Sequence, residues 1–229
     1  MKNIRAILFD KDGTLFDFQA TWGAWARNLL TDLSGGQSAL ARKMADVLEF
    51  DAESGRFRPH SQVIAGTGRE VAEMLAALLP DHSAASLEAH IARAASQAPL
   101  VAATPLRPLL SGLRDAGLKL GVATNDFESV ARDHVADVIE LFDFIAGFDS
   151  GFGGKPEPGM LLAFARHCGV PPHNILMVGD SRHDLVAGRA AGMATLGVLT
   201  GVATAEDLAP FADQIRSDIS HLPEVLQLI

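Results

Sequence analysis

Three short apolar runs, each closed by a polar residue, constrain this chain more than any other feature. Ala6-Ile7-Leu8-Phe9 ends at Asp10, Leu118–Thr124 ends in a hydroxyl, and Ile175–Gly179 is followed by Asp180. A half-exposed strand would alternate apolar and polar residues, so runs without alternation predict strands covered on both faces. Ala194–Leu199 is a weaker fourth candidate. Helical spacing fills the intervals. Leu106–Ala116, with Leu106, Leu109, Leu110 and Leu113, stops at Gly117; Pro158–Cys168 stops at Gly169, and Asp184–Ala191 at Gly192. A glycine in that place readily adopts the left-handed conformation that ends a helix. Strands alternating with helices predict an α/β fold with a doubly wound parallel sheet. Ligands of such sheets bind beyond the carboxyl ends of the strands, so the three polar ends are expected to converge on one site.

Residues 17–102 break the alternation. They are rich in Ala, Leu, Glu and Arg, show helical spacing (Val71, Met74, Leu75, Leu78, Leu79) and hold no convincing strand. The expectation is a helical subdomain inserted after the first strand, with residues 1–16 and 103–229 forming the core around the site. The polar stretch Asp51–His60 reads as a loop within the insert. A net charge of −9 with no basic stripe excludes binding along a nucleic-acid backbone. Cys168 is the single cysteine, which excludes an intramolecular disulfide and fits a reducing compartment. No apolar run approaches the roughly 18 residues of a membrane span, and the one after Met1–Arg5 is too short for a signal peptide. A cytoplasmic protein, monomeric or homodimeric, is expected.

The chemistry-bearing residues stand at the strand ends. Asp10-Lys11-Asp12-Gly13-Thr14 places two carboxylates just past the first strand. One can attack phosphorus and form an aspartyl-phosphate, and its neighbour can serve as general acid and then as base. Alone, an acidic turn of this kind also caps helices. Thr124 and Asn125 offer a hydroxyl and an amide to phosphate oxygens, and Lys155, in Gly153-Gly154-Lys155-Pro156, offers a fixed ammonium. Asp180 falls at a strand tip with Asp184 four residues on. Magnesium takes few carboxylates in its octahedron, so Asp10, Asp180 and the main-chain carbonyl of Asp12 suffice as protein ligands, with Asp184 as a partner behind them. Trp22 and Trp25 are expected to pack within the insert, His183 to lie exposed on a helix start, and Phe127, Phe142, Phe144, Phe148 and Phe152 to act as core or loop anchors.

These four elements, in this order, resemble the motifs of the haloacid dehalogenase superfamily of phosphohydrolases, in the branch with a helical cap after the first motif. The likeness covers nearly the whole chain. It implies Asp10 as nucleophile, Asp12 as acid/base, Thr124 and Lys155 as phosphate binders, and Asp180 as a Mg2+ ligand. The presence of Asp12 speaks against dehalogenase chemistry, which needs no such acid. Within the superfamily the chain is similar to phosphoglycolate phosphatases, which implies a small phosphorylated metabolite as substrate. The alternatives are a phosphomutase of the beta-phosphoglucomutase type, a pyrophosphatase or nucleotidase, and a non-catalytic phospho-acceptor domain of the response-regulator kind. Among the basic residues of the insert, Arg69 is the leading candidate to read the non-phosphate end. It follows Gly66-Thr67-Gly68 and opens an apolar helix, where an arginine can clasp a carboxylate. Arg56 and Arg58 stand next in line.

Overall fold

The computed structural model describes residues 3–58, 60–64 and 66–228. Met1 and Lys2, which enter the reading of the N-terminus, and Pro59, inside the 51–60 stretch, lie outside them. A six-stranded, wholly parallel sheet forms the centre. Its strands are β1 (Ala6–Phe9), β4 (Lys119–Ala123), β5 (Phe144–Ala146), β6 (Ile175–Gly179), β7 (Ala194–Val198) and β8 (Gln214–Arg216), in the spatial order β5-β4-β1-β6-β7-β8. The intervening short strands β2 (Phe50–Asp51) and β3 (Arg56–Phe57) pair with each other as a separate antiparallel hairpin.

The apolar runs are buried because each faces helices on both sides. In β1, Ile7 and Phe9 join one core with Leu110 and Leu113 of helix 106–115, while Ala6 and Leu8 join a second with Leu161 and Phe164 of helix 159–168. In β6, Leu176 and Val178 face the first core, Ile175 and Met177 the second. Burying one Leu, Ile or Phe is worth about 1.5–3 kcal/mol. A one-residue slip would exchange both sets at once, so these residues hold the register. That register matters for chemistry: Phe9 pairs with Val122 on one side and Val178 on the other, so Asp10, Thr124 and Asp180 leave the sheet at nearly one level. The neighbours of β1 belong to chain segments that run outward in opposite directions, which opens a crevice at this end of the sheet.

The helices are α1 (Phe18–Leu33), α2 (Ser38–Val47), α3 (Gly68–Ala76), α4 (Ala84–Ser96), α5 (Leu106–Asp115), α6 (Glu128–His134), α7 (Gly159–Cys168) and α8 (Arg182–Ala190), followed by two single-turn helices near the end. The first four share a third hydrophobic cluster, with Trp25, Leu29, Met44, Leu75, Leu87 and Ile91 among its members, and Phe127 and Val130 reach into it from the sheet side. The chain enters and leaves this helical segment through adjacent backbone: Asp17 N–H donates to Val101 O at 2.8 Å, and Ala103 N–H to Leu15 O at 2.9 Å.

Several expectations need correction. Residues 51–60 are not simply a loop, because Phe50 and Phe57 pair across a hairpin with their ring centroids 5.0 Å apart. Two-residue strands are too short to show alternation. β5 and β8, of three residues each, escaped notice for the same reason. α3 stops at Ala76, so Leu78 and Leu79 fall beyond it, and α8 begins at Arg182 rather than Asp184.

Candidate active site

Asp10 leaves β1 with its N–H still donating to Val178 O at 2.9 Å, so its carboxylate emerges from a backbone fixed to β6. Lys155 meets it from the loop before α7. Its Nζ stands 2.6 Å from Asp10 Oδ1 and 2.5 Å from Asp184 Oδ1. The lysine main chain is held in turn by Asn125, whose Oδ1 accepts the Lys155 N–H at 2.7 Å and whose Nδ2 donates to the Lys155 carbonyl at 2.9 Å. The Asn125 side chain thus positions the lysine, and Asn125 also lines the chamber at which its amide was expected to meet phosphate. Asp184 completes a capping box at the start of α8, its Oδ2 accepting the N–H and hydroxyl of Ser181 at 3.0 and 2.6 Å.

Asp180 follows β6 and is enclosed by glycines. Gly13 has φ +81°, open to glycine at little cost, and a Cβ on it would overlap the Asp180 carboxylate. A Cβ on Gly201 would overlap the same carboxylate from the other side. Oxygens of Asp10, Asp180 and Asp184 all lie within 4.8 Å of one another, and all three residues are buried. Asp184 thus lies within this cluster, with Oδ1 on Lys155 and Oδ2 on Ser181.

One ammonium does not balance three buried carboxylates. Burial, then the Asp184 charge, pushes Asp10 up to about 7 against the pull of Lys155. Burial and the charges of Asp184 and Asp10 lift Asp180 well above the usual carboxylate range. Burial would lower Lys155, but Asp10 and Asp184 outweigh it and hold the ammonium charged. Crowded oxygen donors with uncompensated charge are what a hard divalent cation binds, so the donor set fits such an ion.

Asp12 stands in different surroundings. Its carboxylate faces Lys11 Nζ, 2.8 Å from Oδ1 and 2.7 Å from Oδ2, and Trp22 Nε1 donates to Oδ1 at 2.8 Å. Beyond it opens a chamber of about 680 Å³, mouth included, between the sheet end and the helical segment. Phe18, Trp22, Trp25, Val71, Ile91 and Ala95 supply its apolar walls, and Asp10, Asp12, Thr124, Lys155, Asp180 and Asp184 line its polar end. A second, outer groove shares Lys155, Asp180 and His183 with the chamber but is not lined by Asp12.

A sequence profile described as haloacid dehalogenase-like hydrolase matches residues 4–192. The chain belongs to the haloacid dehalogenase-like hydrolase family. A protein of Escherichia coli (strain K12) named phosphoglycolate phosphatase is 35% identical over 94 residues, which are 40% of this chain and 37% of that protein. The match thus spans little more than a third of that relative's length. The chain shares its fold with a predicted phosphoglycolate phosphatase from Haemophilus somnus 129pt, at TM-score 0.75 and 18% identity over 98% of this chain and 99% of that one. The fold is shared equally with a protein provisionally named a beta-phosphoglucomutase from Thermotoga maritima, at TM-score 0.70 and 20% identity over 99% and 100% of the two chains.

The structure places Asp10, Asp12, Thr124, Asn125, Lys155, Asp180 and Asp184 together at the chamber. It does not bring Arg69 with them. That side chain is exposed, 3.4 Å from Glu88 and stacked over Phe148, and lines neither chamber nor groove. The Gly66–Gly68 segment does reach the chamber, but Thr67 caps α3 in a box with Glu70, and the helix then directs residue 69 away. Arg56 and Arg58 do not line the chamber either. His183 is half-buried on the shared rim, contrary to its expected exposure.

Sequence reasoning missed a second buried centre. Lys11 is completely inaccessible, and its Nζ lies 3.1 Å from Asp126 Oδ2 and 3.0 Å from His134 Nδ1 as well as beside Asp12. Burial would lower the Lys11 pKa, but Asp12 and Asp126 raise it instead. Burial, then the Lys11 charge, pushes His134 down to about 4. The imidazole is therefore neutral. Its Nε2 lies 2.8 Å from Ala95 O, which only accepts, so Nε2 carries the proton and Nδ1 accepts from Lys11. Nothing local in the sequence marks this centre, because Lys11 and His134 are 123 residues apart.

Two tests follow from this geometry. Gly201→Ala should displace Asp180 and weaken divalent-cation binding by about 10- to 100-fold, the range seen when the shell around a metal ligand is disturbed. Titration calorimetry reads this directly, and unchanged affinity would remove Asp180 from the cation site. The second test uses pH. Asp10 keeps its proton in the folded, cation-free protein up to about pH 7, whereas the unfolded chain loses it near 3.8. Between those values the folded state binds more protons, so stability from this group is present at low pH and lost as pH rises. The gain in thermal midpoint on adding a divalent cation should accordingly widen from about pH 5 to about pH 7.5. A gain independent of pH would contradict this balance of charges.

Proposed function

We propose that the protein is a Mg2+-dependent phosphatase of a small phosphomonoester, acting through a phosphorylated Asp10. One observation carries this reading: two carboxylates two residues apart face different partners, Asp10 toward Lys155 and the cation cluster, Asp12 toward Lys11 and Trp22 at the chamber. Separate surroundings suit separate roles, a nucleophile and a proton carrier. An Asp10 oxygen forms a bond to phosphorus as the bond to the leaving oxygen breaks, and Asp12 gives that oxygen its proton. Asp12 then takes a proton from water as the water oxygen attacks phosphorus. The bond to Asp10 breaks, and inorganic phosphate leaves.

Lys155 keeps Asp10 in place and offers its charge to the phosphoryl oxygens. Thr124 is nine-tenths buried at the chamber's polar end; its hydroxyl oxygen accepts the Asp126 N–H at 3.1 Å, leaving its own proton for an oxyanion. Asp10, Asp180 and the Asp12 carbonyl would hold the Mg2+, with Asp184 beside them. Bound there, the ion would supply the positive charge that the cluster lacks and that a phosphate dianion requires. Residues 17–102 act as a cap over the site, a reading supported by their own hydrophobic cluster and by the paired backbone at 15–17 and 101–103. The names of similar proteins point to phosphoglycolate as the first substrate to try, and a cytoplasmic setting suits such a metabolite.

Asp10→Asn, which keeps the shape but removes the attacking charge, should abolish phosphate release, as should EDTA. Near-normal turnover in either case would overturn the mechanism, while sugar phosphates interconverted with little free phosphate would mark a mutase instead. Asp12→Asn should lower kcat by roughly a hundred- to ten-thousandfold on an alkyl phosphate with little change in KM. Para-nitrophenyl phosphate, whose leaving group needs no proton, should suffer less. Equal losses in the first chemical step on both substrates would argue that Asp12 is not the acid.

A further inference from the structure

We infer that the alcohol released by this enzyme is uncharged and largely apolar, rather than a carboxylate-bearing one. The inference rests on the phosphatase reading and concerns the side of the site on which the leaving group lies. A general acid must touch the oxygen it protonates. Asp12 lines the chamber and not the outer groove, so the leaving oxygen and whatever it carries lie in the chamber. The walls there are Phe18, Trp22, Trp25, Val71, Ile91 and Ala95.

Charge sharpens the point. Five carboxylates line the chamber, Asp10, Asp12, Asp126, Asp180 and Asp184. Among the described residues no arginine does, and Lys155 is the only lysine that does. That ammonium is already shared between Asp10 and Asp184, and Lys11 is sealed behind Asp12 with no exposed surface. His183 belongs to the rim shared with the groove. A substrate carboxylate would therefore be desolvated against apolar walls, beside like charges and without a partner, the costliest way to bury an ion. The basic side chains His60 and Arg182 border the outer groove, which Asp12 does not line; there they stand among Glu70, Glu157 and Asp207, and Arg182 stacks over Phe211.

The test compares two substrates of nearly the same shape with the intact, Mg2+-loaded enzyme: phosphoglycolate and isobutyl phosphate, in which two methyls replace the carboxylate oxygens. Isobutyl phosphate should be favoured in kcat/KM by about a hundredfold, the penalty expected for an unpartnered buried charge. Ile91→Arg, which adds a guanidinium to the chamber, should narrow that ratio at least about tenfold if the variant folds. The comparison on the unaltered enzyme does not depend on it. Equal or better turnover of phosphoglycolate overturns the inference, and loss of that preference in Arg182→Ala would place the leaving group in the groove instead. If neither ester, nor para-nitrophenyl phosphate, releases phosphate in an Asp10-dependent way, the phosphatase reading itself fails and this inference falls with it.

Discussion

The ion cluster of Lys155 with Asp10 and Asp184 governs the rest of this structure. A buried ammonium is tolerated only where its partners are held close, and buried carboxylates only where something positive faces them. Three chain segments more than 25 residues apart must therefore be brought into register to within a few tenths of an ångström. The parallel sheet does this through its backbone ladder and the apolar contacts that fix the register. Ile7, Phe9, Leu176 and Val178 cannot shift without exchanging the two faces of the sheet, so the ends of β1 and β6 have nowhere else to be. Asn125, at the end of β4, then extends that register to the Lys155 loop, which belongs to no strand.

A second charge centre lies back to back with the first. Lys11 bridges Asp12 and Asp126 much as Lys155 bridges Asp10 and Asp184. A three-residue stretch, Asp10-Lys11-Asp12, thereby supplies two carboxylates with different partners. The second centre also ties the helical segment down: Trp22 of α1 donates to Asp12, and the Ala95 carbonyl of α4 reaches Lys11 through His134. The Asp12 carboxylate is thus set by the helices that enclose the chamber as much as by the strand that precedes it.

How much of this was legible beforehand depended on the range of the interactions. The strand ends could be read because two-sided burial writes an unbroken apolar run into the sequence, and Asp10, Asp180 and Lys155 stand directly beside glycines or at such ends. The glycines at 117, 169 and 192 marked helix ends because a left-handed residue is a local need, and all three have positive φ. Arg69 could not be resolved that way. Its place in the first turn of α3 was readable, but which side of that turn faces the chamber is settled by the packing of α3 on α4, and that packing sends it to Glu88. Lys11 and Gly201 were overlooked for a related reason: the lysine's burial against Asp126 and His134, and the glycine's contact with Asp180, depend on partners more than 20 residues away in the chain.

The two chain crossings, at 15–17 and 101–103, have a consequence of a topological kind. Because they are hydrogen-bonded neighbours, the segment between them begins and ends at one point on the core. Loop-closure entropy grows only with the logarithm of length, so what is threaded between those points places little burden on the sheet, whether it is long or short. The core can therefore keep one arrangement of strand-end side chains while the intervening stretch varies in size and lining. In this chain the variable part delivers Trp22 to Asp12, so a wholesale exchange of the segment would have to carry an indole, or another donor, back to the same carboxylate.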